Sequence, residues 1–431
     1  MARMSRLSVT YLLVLALLVA GAPLAAQTCP ARAALVGSLG QPQAAVRYLA
    51  DDALEGRLAG SESERCAGDY IAAEFRRLGL RPAGDAGTFF QEVPLASAVN
   101  PHAPGGTGRN VVAMLEGADR RLRAEAVVVG AHYDHLGRGG TFSLAPDEKD
   151  AIHNGADDNA SGVAALLVVA EQLSRRKRPA RTVVFVAFTG EEFGLLGSAH
   201  YAANPTLPLE RTRAMLNMDM VGRLEQGPLL VYGTETASEW NGLLAPAAAE
   251  EGISFVGHGD GYGASDHTSF YARDIPVLHF FTNVHDDYHR PSDDWEKIDY
   301  EGLRRVTSLV ARLARAVADR PTALTLQRGV GTAPRMAEGR GYGAYLGTVP
   351  DFSPAERGVR ISGVRAGSPA EQAGLQGGDV IVGMDEQEVA DLYAFTDALR
   401  ARTPGDRVRI TVLREGQEVT VAAVLGSRSA Q

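Results

Sequence analysis

Read for the spacing of apolar and polar positions, the chain falls into three stretches. Residues 44–80 read as two helices around a Gly-containing loop: Leu49, Leu54, Ile71, Phe75 and Leu78 share one face, and Gly79 closes the second helix. From Asn110 the pattern becomes strand–helix alternation. Val111–Leu115, Ala126–Val129 and Val183–Phe188 are apolar runs of strand length, and Ala214–Met218, Leu229–Tyr232 and Pro276–Phe281 repeat the signal. Between them Ser161 is placed to cap a helix through Leu173, with Val163, Leu166, Leu167 and Ala170 inward. Leu195–Tyr201 is helical, and Tyr300–Ala318 is an amphipathic closing helix. Such alternation predicts a mixed, largely parallel sheet sandwiched by helices, an α/β fold.

Around Arg320–Gly341 the texture turns to Pro, Thr, Gly and Arg, which reads as a linker. Beyond it, short Val/Ile strands at Gly358–Val364, Asp379–Met384, Arg407–Arg414 and Glu418–Val424 surround two short helices, a small β-rich second domain. At the other end Arg3 and Arg6 precede the apolar run 11–20, and Gly21-Ala22-Pro23-Leu24-Ala25-Ala26 follows. That layout predicts a signal peptide over 1–26, since the run is short for a bilayer span. The expected order is therefore a signal peptide at 1–26, a catalytic domain at 27–319, a linker at 320–337, the small domain at 338–425 and a tail at 426–431. No membrane span is expected in the mature chain.

Composition narrows this. With 45% hydrophobic residues in 431, the chain supports a sizeable core. Its net charge of −9 argues against a nucleic-acid partner. Two cysteines exclude a disulfide-dense scaffold or a Cys-rich zinc ribbon. In a secreted or periplasmic chain a Cys29–Cys66 disulfide can form and persist, two free thiols being the alternative.

Ligand-type residues stand directly after buried strands. Val127–Ala131 runs into His132-Tyr133-Asp134, Val183–Phe188 into Glu191-Glu192, and Ala214–Met218 into Asp219. In open α/β sheets the carboxyl ends of strands are where ligands bind. Asp158, within Asp157-Asp158-Asn159, and His289 bring the set to two imidazoles and three carboxylates. That suits zinc, and it exceeds one tetrahedral site but matches two metals about 3.5–4 Å apart sharing a carboxylate. Asp134 is placed to orient the His132 ring, and Glu191 stands where a general base would. Alone, each of these pairs reads as a solvated loop or a turn; His153, His258 and His285 read as loop or rim residues.

Five segments in order, 130–137, 155–162, 189–198, 217–222 and 288–294, resemble the motifs of the co-catalytic zinc aminopeptidase family, which includes glutamate carboxypeptidases and glutaminyl cyclases. The resemblance covers roughly residues 44–318. It implies two Zn2+ per chain, His132 and Asp219 on one, Glu192 and His289 on the other, Asp158 bridging. It also implies a cis Asp158–Asn159 peptide, Glu191 as base for a metal-bound hydroxide, and Tyr288 as donor to the oxyanion. Ser265-Asp266-His267 is similar to a further family segment near the pocket.

The last domain resembles a PDZ domain. Gly343-Ala344-Tyr345-Leu346-Gly347-Thr348 is similar to its carboxylate-binding loop, and Gly367–Ile381 to the region joining two of its strands. The resemblance implies a C-terminal peptide ligand held by backbone N–H groups of Tyr345, Leu346 and Gly347.

The expected activity is a secreted or periplasmic aminopeptidase acting on peptide or protein substrates. A glutaminyl cyclase, a dipeptide-cleaving carboxypeptidase using Arg223 or Arg290, and a non-catalytic PDZ peptide-binding protein are the alternatives. Tyr288 stands where the cyclase branch usually carries Trp, and no large insertion lies between Gly84 and Asn110.

Overall fold

The computed structural model describes Cys29 and residues 42–96, 103–328 and 344–427, apart from positions 141, 146, 149, 260, 351–356, 365–366, 391–393, 396–397 and 400. The signal-peptide segment 1–26 lies outside the described residues, as does the second half of the expected linker.

A nine-stranded mixed sheet organises the first domain. Its strands are β1 (Arg81–Pro82), β2 (Phe90–Pro94), β3 (Thr107–Leu115), β4 (Ala126–His132), β5 (Thr182–Phe188), β6 (Thr212–Met218), β7 (Leu229–Tyr232), β8 (Phe255–His258) and β9 (Val277–Phe281). The order is β1-β3-β5-β4-β6-β9-β7-β8, with β2 also on β3. The central four, β5-β4-β6-β9, are parallel, and both flanks turn antiparallel at β3 and β7. Every position of β4 and β5 is buried, as strands covered on both faces require.

The helices are α1 (Gln43–Leu49), α2 (Glu62–Arg77), α3 (Gly162–Ser174), α4 (Leu196–Ala203), α5 (Trp240–Glu250), α6 (His267–Tyr271) and α7 (Tyr300–Asp319). One core unites α1, α2, α3, α5 and α7 with the sheet; a second packs Tyr201 of α4 and Phe270 and Tyr271 of α6 on the opposite face. Helix α3 is buried nearly all round, wedged against α7 and β4. Ser161 does not cap it: its own backbone is already helical, and its hydroxyl donates to Asp157 O while accepting from Val221 N. Asn159 does that work, its backbone non-helical and its Oδ1 accepting the Gly162 N–H at 2.8 Å. Sequence spacing also passed over β1, β2, β8, α5 and α6, which are short or, in α5, interrupted by Pro246.

Cys29 and Cys66 are disulfide-bonded, tying the start of the described chain to α2. Residues 324–328, expected as linker, lie along the first domain: Leu326 bridges Ala237, and Gln327 N donates to Thr236 O. The second domain is a small antiparallel sheet around Ile361, Ile381, Met384, Ile410 and Val412; the four strands read from the sequence fall within a residue of their observed bounds, and the short strands Ala344–Tyr345, Thr348–Pro350, Gln387–Glu388 and Gly426–Ser427 were not read.

Candidate active site

The four parallel strands end on one edge, and each delivers chemistry there. His132 ends β4, Glu191 and Glu192 follow β5, Asp219 follows β6, and His289 lies in the loop after β9. Asp158 enters from the segment before α3, where the Asp158–Asn159 peptide is cis. The two neighbouring aspartates do different work. Asp157 accepts Gly222 N–H at 2.7 Å and faces His285 Nε2 at 3.1 Å, which fastens the loop. Asp158 turns the other way: its Oδ1 lies 3.3 Å from His132 Nε2 and its Oδ2 3.2 Å from His289 Nε2. On the first side Asp219 Oδ1 is 3.2 Å from His132 Nε2; on the second Glu192 Oε2 is 3.1 Å from His289 Nε2. Imidazole nitrogens and carboxylate oxygens thus converge on both sides of one carboxylate, a donor set that fits zinc.

The supporting contacts are specific. His132 Nδ1 lies 3.2 Å from the Asp134 carbonyl and 3.8 Å from its carboxylate, so the backbone shares the orienting task assigned to the side chain. The Asp134 carboxylate also accepts the Glu191 N–H at 3.1 Å, linking the two strand ends. Ser265 Oγ donates to Asp219 Oδ2 at 2.7 Å. Tyr288 stacks its ring on His289 with centroids 3.9 Å apart. Arg223 bonds Asp293 and Asp287 and is buried, which removes it as a ready receptor for a substrate carboxylate.

Electrostatics separate the two adjacent glutamates. Burial, with Asp219 and Glu192 adding to it and His132 opposing, pushes Glu191 well above the carboxylate range. Burial also disfavours ionised Glu192, but the His289 and His135 imidazoles outweigh it and hold Glu192 low. Burial works against the imidazolium of His132, yet Asp219 and Glu191 raise it well above the ordinary value. The site therefore attracts cationic charge and keeps one carboxyl, Glu191, suited to holding a proton.

Three contributors escaped the sequence reading. His135 is fully buried with Nδ1 2.6 Å from Glu192 Oε1, and among the described residues it belongs with Asp158 and Glu192 to one of two groups able to share an ion; His132, Asp158 and Asp219 form the other. Asp293 accepts the N–H groups of Asp157 and Asp158. Arg57 reaches both ligand loops from the turn before α2. The signal for His135 was its place in the same segment as His132 and Asp134; for Arg57 it was the Gly56 beside it between two helices.

The profile of peptidase family M28 matches residues 110–314, and that of the PDZ domain residues 345–425. Residues 110–314 are a domain of peptidase family M28, a family of zinc-dependent peptidases, and a PDZ domain follows them in the chain. The M28 domain is 29% identical over 214 residues to the aminopeptidase YwaD of Bacillus subtilis, an alignment covering 47% of this chain but 43% of that one. Among solved structures it is similar to a Zn-dependent exopeptidase from Parabacteroides distasonis, with a TM-score of 0.53, 22% identity, and coverage of 64% of this chain and 97% of that one. Porphyromonas gingivalis glutaminyl cyclase matches equally well, with a TM-score of 0.53, 22% identity and coverage of 63% and 96%. At these identities the likeness to the two structures establishes the fold.

Proposed function

We propose that the M28 domain is an exported aminopeptidase with a two-zinc centre, removing N-terminal residues from peptides. The observation that carries the reading is the Asp158 carboxylate, one oxygen facing His132 and the other facing His289. His132 and Asp219 would hold one ion, Glu192 and His289 the other, and Asp158 both. Zinc bound there would activate water and polarise a scissile carbonyl.

This chain's own residues supply the rest. Glu191, with its proton affinity raised by burial, takes a proton from water and returns it to the leaving amine. Asp134 fixes Glu191's backbone and the His132 ring together. Tyr288, beside His289, donates to the oxyanion. The Cys29–Cys66 bridge supports work in an oxidising compartment, in keeping with a signal peptide at 1–26. No helix among the described residues is long and apolar enough to cross a membrane. The PDZ loop, where Gly347 has φ 88°, would receive a peptide C-terminus.

Metal content and hydrolysis of aminoacyl chromogenic amides, for the parent and Glu191→Gln, test this reading. Two zincs per chain in both, with kcat reduced ~10²–10⁴-fold in the variant, is the expected result. One zinc, no amide hydrolysis and cyclisation of N-terminal Gln would replace it with the cyclase reading.

A further inference from the structure

Arg57 is wholly buried in the turn between α1 and α2, with φ 48°. Its Nε donates to Tyr133 O at 2.8 Å, the carbonyl between His132 and Asp134. Nη1 donates to Asn154 O at 2.6 Å and also to Leu49 O, and Nη2 donates to Gly155 O at 3.0 Å, three residues before Asp158. One rigid guanidinium therefore clasps the segment after β4 and the segment that carries the bridging carboxylate. Backbone bonds thread the same turn between them: His135 N donates to Arg57 O and Gly137 N to Gly56 O, and Leu58 pairs with His135. A Cβ on Gly56 would stand 2.4 Å from Gly137 O and 2.5 Å from His153 O, so this turn passes between the two segments with no room to spare. The charge matters as well as the fork. Burial lowers the Arg57 pKa to about 10, and Asp134, Asp158, Asp293 and Glu192 oppose that by favouring the cation.

We propose that Arg57 is the positioning residue of the metal centre, setting the distance between its two ligand segments and offsetting part of their negative charge. This rests on the two-zinc reading above. Lysine keeps the charge but cannot present a planar fork to four carbonyls, so Arg57→Lys separates the two contributions.

The test is zinc affinity, by competition with a chelator, of the full chain carrying Arg57→Lys, Arg57→Met or Arg181→Met. All are measured below each variant's unfolding midpoint, with circular dichroism confirming the fold. Arg181 is the control: it is equally buried and donates to Val317 O and Glu125, at the far end of the strands. The expected result is a 10–100-fold loss for Arg57→Met, the range for groups that orient metal ligands, a smaller loss for Arg57→Lys, and no more than a twofold change for Arg181→Met. Folded Arg57 variants that bind zinc within twofold of the parent would overturn the proposal. So would a parallel loss in Arg181→Met, or failure of both Arg57 variants to fold, either of which makes Arg57 a residue of general stability alone. A parent chain that binds no zinc is a different outcome, because it removes the metal reading itself.

Discussion

The two ends of the same parallel strands handle charge in opposite ways. At the amino end Arg181 and Arg213 meet Glu125 at 2.7 and 2.8 Å, and Arg181 also reaches carbonyls at the end of α7. There two guanidiniums share one carboxylate, and Arg213 Nε and Arg320 Nε are buried without a hydrogen bond. At the carboxyl end Asp134, Asp158, Glu191, Glu192 and Asp219 gather around three imidazoles and one guanidinium, and Asp134 Oδ2 and His135 Nε2 are buried without a hydrogen bond. Positive φ occurs at His289, Met220 and Leu195 around the carboxyl end, against Asp274 before β9 at the amino end. Accumulated like charge and unusual backbone cost stability, so they mark the end where folding is subordinated to binding. The amino end closes the sheet; the carboxyl end holds its charges ready for a cation.

Neutralising the shared carboxylate should break this comparison most completely. Asp158→Asn leaves the carboxyl end one negative charge poorer at the point where both sides meet. Zinc content should fall below that of the parent and amide hydrolysis should drop at least as far as in Glu191→Gln, ~10²–10⁴-fold. Metal analysis beside steady-state rates checks it; full zinc content with near-parent activity would make Asp158 a mere loop anchor. At the amino end Arg181→Met should do the reverse, lowering stability by about 2–4 kcal/mol, since the carbonyls of Val317 and Arg320 lose their donor and Glu125 keeps only Arg213. Denaturant unfolding measures that loss, and kcat of the folded variant should stay within twofold.

A pH series sharpens the contrast using one carboxylate from each end. Glu125 is held below the usual range by the Arg213 hydrogen bond and by Arg181. A depressed folded pKa contributes stability that is present above the unfolded value and lost as pH falls through the folded one. Glu64 on α2 is the opposite case. Burial and the nearby Asp134 raise it to about 8, although Thr189 Oγ1 and Gly60 N donate to it. The folded chain then holds a proton that the unfolded chain releases, so stability declines as pH rises from about 4.5 to 8. Glu64→Gln, which keeps the shape without the acid, should therefore gain on the parent across that window, whereas Glu125→Gln should lose ground above pH 5 and draw level in acid. Midpoints of thermal unfolding at pH 5 and pH 8 report both, and equal slopes for the two variants would contradict the contrast.

Legibility from the sequence followed the same division. The strands of the sheet were readable because β4 and β5 are apolar at nearly every position, and the helix ending at Asp319 because its apolar stripe is continuous. His132, Glu191, Glu192 and Asp219 stood out because each follows a buried strand, whereas Asp158 and His289 stand in loops and were added to the set from their motif segments. What stayed hidden acts through backbone carbonyls or across long loops. Arg57 is an ordinary arginine until its fork is seen on Tyr133 O and Gly155 O, seventy-six and ninety-eight positions away. His285 reads as a rim residue until Asp157 is found against it, and Asn159 reads as a turn residue although it starts α3. Period and composition report which face is buried; they do not report which carbonyl a side chain will reach.

The smallest expected effect concerns the second domain, whose proposed peptide site would rest on the backbone N–H groups of one loop. Gly347 sits at φ 88°, and a Cβ there would come 2.2 Å from Ser368 Cβ, so Gly347→Ala must shift the Tyr345-Leu346-Gly347 loop. Ser368 in turn caps the short helix Pro369–Gln372 by accepting the Glu371 N–H, and Leu346 O accepts from Ala370 N, so the disturbance should reach that helix. None of these contacts involves a residue of the carboxyl-end cluster. Hydrolysis of a small aminoacyl amide, which offers nothing for a carboxylate-binding loop to hold, should therefore stay within twofold of the parent, and zinc content should not change. A large fall in kcat on that small substrate would mean that the second domain acts on the metal site itself, and the separation of labour between the two domains would have to be abandoned.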